Sequence, residues 1–263
     1  MKDYIEINKK TWNDKVAIHI DSEFYEQQAF LQGNSSLKSI ELDLLGDVSG
    51  KTIIHLQCHF GQDSLSLTRM GATVTGVDFS DKAIETAQNL AKELQLDTKF
   101  ICCDVYETLQ HTQEKYDIVF ASYGVIGWLP DLDRWAELIK SLLKPGGRLV
   151  FVEFHPFVWT MDENFDYIKY CYFNTEDIEE LGEGTYADRY AAISNNTISW
   201  NHPFSEVLQS LLDAGLTLTK FQEFDYSPFN CFNKTVEIAE GKFQIKGIEG
   251  KLPMVYALEA INN

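Results

Sequence analysis

The sequence predicts a doubly wound α/β fold, and three observations carry that expectation. From residue 51 onward short apolar runs alternate with amphipathic stretches; runs such as 116–122 (YDIVFAS) and 148–154 (RLVFVEF) are nearly continuous in apolar side chains; and Gly or Pro punctuates the joins. A strand apolar on both faces belongs in a sheet covered on both sides, and alternation with helices makes such a sheet mostly parallel with right-handed crossovers.

Each element has its own signal. Residues 51–58 (KTIIHLQC) read as a strand, and 63–70 as a helix with Leu65 and Leu67 near Met70, closed by Gly71. Residues 72–79 form the next strand. Ser80 is placed to cap a helix over 81–96 that gathers Ala83, Ala87, Leu90, Ala91 and Leu94 on one face. Strands follow at 99–103 and 116–122, then a helix at 132–143, a turn at Pro145-Gly146-Gly147 and a strand at 148–154. Residues 156–200 break the alternation with an aromatic-rich insertion of strands or irregular structure. Regularity returns with a helix at 205–214 ended by Gly215 and strands at 217–224 and 253–260. The first fifty residues read as helical, with Trp12, Val16, Ile18, Phe24, Tyr25 and Phe30 available to pack over the open end of the sheet. The organisation expected is one domain over 1–263: a helical cap at 1–50, a core at 51–155, a lid insertion at 156–200 and the last strands at 201–263.

Composition bounds the function. A chain of 263 residues suits one large domain, and 44% hydrophobic with 13% aromatic residues is ample for a core. A net charge of −18 opposes attraction to nucleic acid or anionic membrane, so neither is an expected partner. No stretch approaches the ~18 apolar residues of a membrane span. Five cysteines without a CxxC pair, and a beginning without a secretory apolar core, predict a reduced, cytoplasmic protein. Cys102 and Cys103, as strand neighbours, point to opposite faces and read as small buried hydrophobes. Half the net charge falls between residues 153 and 188, where ten acids face one base, Lys169. Such a lid is either a solvated acidic face or an attraction for a cationic acceptor.

Ligands of open α/β sheets bind beyond the carboxyl ends of the strands at the switch point. After the first strand stands Gln57-Cys58-His59-Phe60-Gly61-Gln62-Asp63, entering a helix N-terminus suited to an anionic group. After the second stands Asp78, seventeen residues beyond Gly61, at about the ~20-residue offset of a ribose-gripping acid; after the third stands Asp104. His55, Cys58, His59 and Asp63 could suggest a metal, but alternate strand residues face opposite sides and no second Cys/His pair has ligand spacing, so none is expected. A nicotinamide enzyme would need a GxGxxG loop, which is missing.

The stretches IIHLQCHFGQDSLSLTRMGATVTGVDFS, ASYGVIGWLPDLDRW and LLKPGGRLVFVEF resemble the class I S-adenosylmethionine-dependent methyltransferases over most of the chain. The resemblance implies a mostly parallel seven-stranded sheet with a reversed last strand. It also implies S-adenosyl-L-methionine as cofactor, leaving S-adenosyl-L-homocysteine. By the same resemblance the methionine part lies on Gln57, Cys58, His59, Gly61 and Asp63. The ribose falls to Asp78 with Phe79 and Ser80, and the adenine to Asp104, Val105 and Tyr106, with Ser122 and Trp128 beyond the fourth strand. The family loop reads acid-x-Gly-x-Gly-x-Gly, whereas here His55 replaces the acid and Gln57 and His59 replace two glycines. The CHFG stretch resembles a bacterial subgroup of that family.

Methyl transfer from a sulfonium is an in-line displacement, so alignment and exclusion of water supply much of the catalysis. If the nucleophile arrives protonated, His155 after the fifth strand and His202 are the expected bases, with Glu153 behind them. Tyr123 and Trp128 are expected to flank the methyl group or the adenine. With no basic stripe, the acceptor expected is a small, partly apolar molecule. The alternative is a binding protein of the same fold without transferase activity.

Overall fold

The computed structural model describes residues 3–263, so residues 1 and 2 of the expected cap and domain lie outside it. The chain opens with α1 (Tyr4–Asp21), capped by the Asp3 carboxylate on the Glu6 N–H, then the short α2 (Gln27–Leu31) and α3 (Ser39–Leu45). The alternating core follows: β1 (Thr52–Leu56), α4 (Gln62–Arg69), β2 (Thr73–Asp78), α5 (Asp81–Glu93), β3 (Lys99–Cys102), α6 (Thr108–His111), β4 (Tyr116–Ser122), α7 (Leu132–Leu142) and β5 (Leu143–Phe154). The insertion contributes a hairpin, β6 (Ile178–Glu183) with β7 (Ser194–Ser199). Then come α8 (Phe204–Asp213), β8 (Thr217–Phe224), a second hairpin of β9 (Thr235–Ala239) and β10 (Lys242–Ile245), and β11 (Val255–Ile261).

The main sheet has seven strands in the order β3-β2-β1-β4-β5-β11-β8. The first five are mutually parallel, and β11 runs antiparallel to both β5 and β8. Alternate side chains feed two layers. Ile54 and Leu56 of β1 join Trp135, Ile139 and Leu211 of α7 and α8 on one face, while Ile53 joins Ile40, Leu44 and Leu67 of α3 and α4 on the other. Strands buried on both faces explain the uninterrupted apolar runs. The sheet order reverses between β1 and β4, so a crevice opens above their carboxyl ends.

Two expectations change. Pro145-Gly146-Gly147 is not a turn that precedes the strand: β5 begins at Leu143 and carries the three residues as an irregularity, between the pairings Tyr116 with Leu143 and Ile118 with Arg148. Asn262 tethers them, its carbonyl accepting from the Gly146 N–H at 2.6 Å and its amide donating to the Lys144 carbonyl at 3.2 Å. Cys102 is exposed because it sits on the edge strand β3, whereas Cys103 is buried; all five cysteines are free thiols. No helix among the described residues is long and apolar enough to cross a membrane.

Several side chains fasten the cap to the insertion, Asn8, Thr11 and Tyr25 among them. Buried Asn8 on α1 donates to the Ile198 carbonyl at 2.7 Å and accepts from the Ile198 N–H at 2.9 Å, completing that residue of β7 as a strand neighbour would. Thr11 adds a bond to the Asn196 carbonyl at 2.7 Å. Asn8→Ala strands a buried donor and acceptor together and should cost about 2–4 kcal/mol in urea unfolding. Proteolysis within residues 156–200 should quicken at the same time.

Candidate active site

The first loop keeps the backbone of a glycine loop while carrying side chains. Gln57, His59 and Gly61 all have left-handed φ, at 55°, 51° and 80°. For Gln57 and His59 that conformation costs on the order of 1 kcal/mol each, which the surrounding bonds must offset. At Gly61 the objection is also steric: a Cβ there would lie 2.8 Å from the Phe100 ring and 3.0 Å from Ala87. The one retained glycine is therefore the one whose space is filled.

Asp78, at the end of β2, fixes this loop. Its buried carboxylate accepts from the His59 N–H at 2.8 Å and the Ser80 N–H at 2.9 Å. Burial pushes its pKa up to about 6 against the pull of those amides. Asp104 accepts from the Tyr106 N–H at 3.0 Å through one oxygen, and burial pushes its carboxyl upward as well. Gln57 donates to the Val125 carbonyl at 2.8 Å, while its own Oε1 is buried with no partner among the described residues.

These groups meet around one cleft. Six of the expected cofactor residues line it: Gln57, Asp78, Phe79, Asp104, Val105 and Trp128. Tyr4, Ile5 and Asn8 of α1 also line it, with Val77, Cys103 and Leu129. The other expected residues support the walls. Cys58 is buried under the loop; Ser80 caps α5 on the Ala83 N–H and donates to Asn13 at 2.6 Å; Asp63 accepts from Ser36 at 2.6 Å. Tyr106 donates to the Asp131 carbonyl at 2.7 Å, and Ser122 ends β4 beside the crevice.

A second, smaller cavity is lined by Ile126, Gly127, Phe154, Pro156, Trp159, Trp200 and His202. The turn after β4 separates the two, and the Trp200 ring packs on Tyr4 at 5.2 Å. That turn hangs on Glu153, whose fully buried carboxylate accepts from the N–H groups of Gly124 (2.5 Å), Val125 (2.7 Å), Ile126 (3.3 Å) and Phe154 (2.6 Å). Burial still pushes its pKa upward.

The three expected catalytic residues fall in different places. His202 lines the second cavity, with Nε2 on the Leu129 carbonyl at 2.8 Å and Nδ1 3.1 Å from Glu206. His155 lines neither cavity. It packs on Phe204 at 4.6 Å, its Nε2 lies 3.0 Å from Glu223, and its Nδ1 accepts from the Phe157 N–H at 3.0 Å. Following β5 directly, its side chain falls on the α8 face of the sheet, which sequence position alone does not reveal. Tyr123 also lies outside both cavities. It donates to Glu41 at 2.6 Å, and burial pushes that carboxyl up to about 7. The acids of β6 face outward, the strand being exposed along Glu179, Glu180 and Glu183, and Glu180 bonds to Lys169 and Tyr170, whereas Asp162 is buried on the backbone amides of its own turn.

A seven-stranded sheet of this order, with Asp78 ending β2 and Asp104 following β3 at one cleft, is an α/β fold of the nucleoside-cofactor kind. A methyltransferase-domain family profile matches residues 53–147. The ubiquinone biosynthesis O-methyltransferase of Coxiella burnetii is 31% identical over 193 residues, covering 73% of this chain and 74% of that protein. The human mitochondrial enzyme of that name is 27% identical over 70% of this chain and 46% of its own. Among solved structures, a geranyl diphosphate C-methyltransferase from Streptomyces coelicolor superposes with a TM-score of 0.60 at 15% identity, covering 100% of this chain and 98% of that one. A methyltransferase from Methanosarcina mazei gives 0.59 at 18%, covering 86% and 97%. The chain belongs to the S-adenosylmethionine-dependent methyltransferases.

Two outcomes follow. Asp78→Asn should weaken S-adenosylhomocysteine binding about ten- to a hundredfold in calorimetric titration. A ribose held by Asp78 would donate to its ionised carboxylate and so would lower a pKa that burial pushes up to about 6. Affinity should therefore hold level above pH 7 and fall as pH drops through 6, by at most tenfold per unit, with most of that slope gone in the variant. Glu153→Gln leaves one acceptor oxygen and sets amide donors against backbone donors. It should lower unfolding free energy by about 2–4 kcal/mol and weaken cofactor binding with it.

Proposed function

We propose that the protein transfers the methyl group of S-adenosylmethionine to a small, partly apolar acceptor, with the adenosine in the first cavity and the acceptor in the second. The carrying observation is the adjacency of an acid-lined cavity and an aromatic-walled one across the turn that Glu153 holds. The residues present fit the cofactor: Asp78 has lone pairs for ribose hydroxyls, Asp104 for the adenine amine, and the orphaned Oε1 of Gln57 for the ammonium of the methionyl arm. Bound S-adenosylmethionine supplies an electrophilic methyl group on sulfur.

The chain's own residues orient and enclose. Trp128 and Leu129 close the nucleoside side, Phe154, Trp159 and Trp200 wall the acceptor side, and the resulting exclusion of water favours in-line displacement. In this reading residues 1–50 act as a cap and 156–200 as a lid on one catalytic domain. His202 holds the wall of the acceptor cavity through Leu129 and Glu206. An oxygen nucleophile is supported by the O-methyltransferase names of the Coxiella and human relatives.

Incubation of the protein and methyl-labelled cofactor with a metabolite extract should give a labelled small molecule. No labelled product across broad extracts would favour a binder without transferase activity. Gly127→Leu projects a side chain into the second cavity, where a Cβ meets only the Trp200 carbonyl, at 3.6 Å. It should cut labelling at least tenfold while S-adenosylhomocysteine affinity stays within about twofold. Equal loss of both would remove the assignment of the acceptor to this cavity.

A further inference from the structure

We propose that Lys15 of α1 anchors the carboxylate of the cofactor's methionyl arm. The proposal rests on the cofactor reading above and adds to it a residue outside the first loop.

Of the three lysines on α1, Lys9 pairs with Asp81 at 3.3 Å and Lys10 with Asp14 at 2.5 Å. Lys15 has no carboxylate within ion-pair distance among the described residues. Its ammonium instead lies 4.9 Å from the centroid of the Trp12 ring and 6.0 Å from that of Trp128. Desolvation pushes its pKa down to about 8. Two indole faces recover part of the lost hydration, but a desolvated cation normally also meets an anion.

The surroundings say which anion. Trp128 is a wall of the nucleoside cavity, and Trp12 packs on it at 5.5 Å and on His59 of the first loop at 5.2 Å. Lys15 thus stands where that loop leads away from the ribose acid Asp78, along the path a methionyl arm would take. His19 and His59, 3.1 Å apart in this cluster, are both held neutral by burial and offer no competing charge. Asp78 and Asp104 are anionic and suit hydroxyl and amine donors, so they would repel a carboxylate. That carboxylate is the cofactor's only anionic group, and Lys15 is the cation this end of the site presents.

The test compares S-adenosylhomocysteine with 5′-methylthioadenosine, which keeps the nucleoside and thioether and lacks the amino-acid group. Each is titrated calorimetrically into the wild-type, Lys15→Met and Lys15→Arg proteins. Expected is a loss of about ten- to a hundredfold for S-adenosylhomocysteine in Lys15→Met, partial recovery in Lys15→Arg, and 5′-methylthioadenosine affinity within about twofold throughout. Preserved binding of the thioadenosine also shows that the variant folds. If Lys15→Met weakens both ligands equally, or neither, the lysine packs on tryptophan only and the assignment fails while the cofactor reading stands. Wild-type protein that binds neither ligand overturns both.

Discussion

The crevice depends on carboxylates buried without a cation partner among the described residues. Asp78 and Glu153 lie at the ends of β2 and β5, and each is compensated by backbone N–H groups alone: the amides of His59 and Ser80 for the one, of Gly124, Val125, Ile126 and Phe154 for the other. A charge so placed is stable only if the amides hold their positions, so each acid imposes a conformation on the loop that solvates it. Asp78 dictates the loop after β1, and Glu153 the turn after β4. Those segments flank the point where the sheet order reverses. The crevice is therefore shaped by two buried carboxyl groups that need their loops.

This constraint explains how side chains stand where glycine is customary. Left-handed backbone at Gln57 and His59 is strained by an amount comparable to one good hydrogen bond. The His59 N–H donates to Asp78, and the Gln57 amide donates to Val125, itself held by Glu153. Both strained residues are thus tied to a buried carboxylate, one directly and one through a single intermediate. Gly61 has no such latitude, because ring atoms of Phe100 occupy the space a Cβ would need. The two kinds of glycine position, one conformational and one steric, separate cleanly in this loop.

Much of this architecture is legible in the order of amino acids. Apolar runs locate most strands of the main sheet, since burial on both faces leaves little choice of side chain, and Ser80 marks the start of α5 by its capping bond. The acids at 78 and 104 can be placed at one cavity because strand ends in a parallel sheet are neighbours. What escapes a local pattern is long-range. Tyr4, Ile5 and Asn8 line the cavity through a helix whose docking depends on β7, and the Asn8 bond to Ile198 spans 190 residues of chain. Cys102 reads as core because an edge strand and a central strand share one apolar signature. The β9–β10 hairpin gives no comparable signal, since much of it is exposed or half-buried and its hydrophobic pattern is weak.

The cap is held by different forces from the core it covers. Between the cap and the first loop ring contacts, Trp12 and His19 with His59 and Tyr25 with Phe60 at 4.6 Å, stand beside hydrogen bonds from Ser36 to Asp63 and from Gln62 to Gln27. Tyr25 also meets Tyr186 of the insertion hydroxyl to hydroxyl at 2.5 Å. Ring contacts are individually weaker than the hydrogen bonds that hold the carboxylates beneath them. The floor is set by buried carboxylates on backbone amides, and the roof above it is largely aromatic. A displacement that needs collinear atoms and little water calls for both a floor that holds position and a roof that excludes solvent.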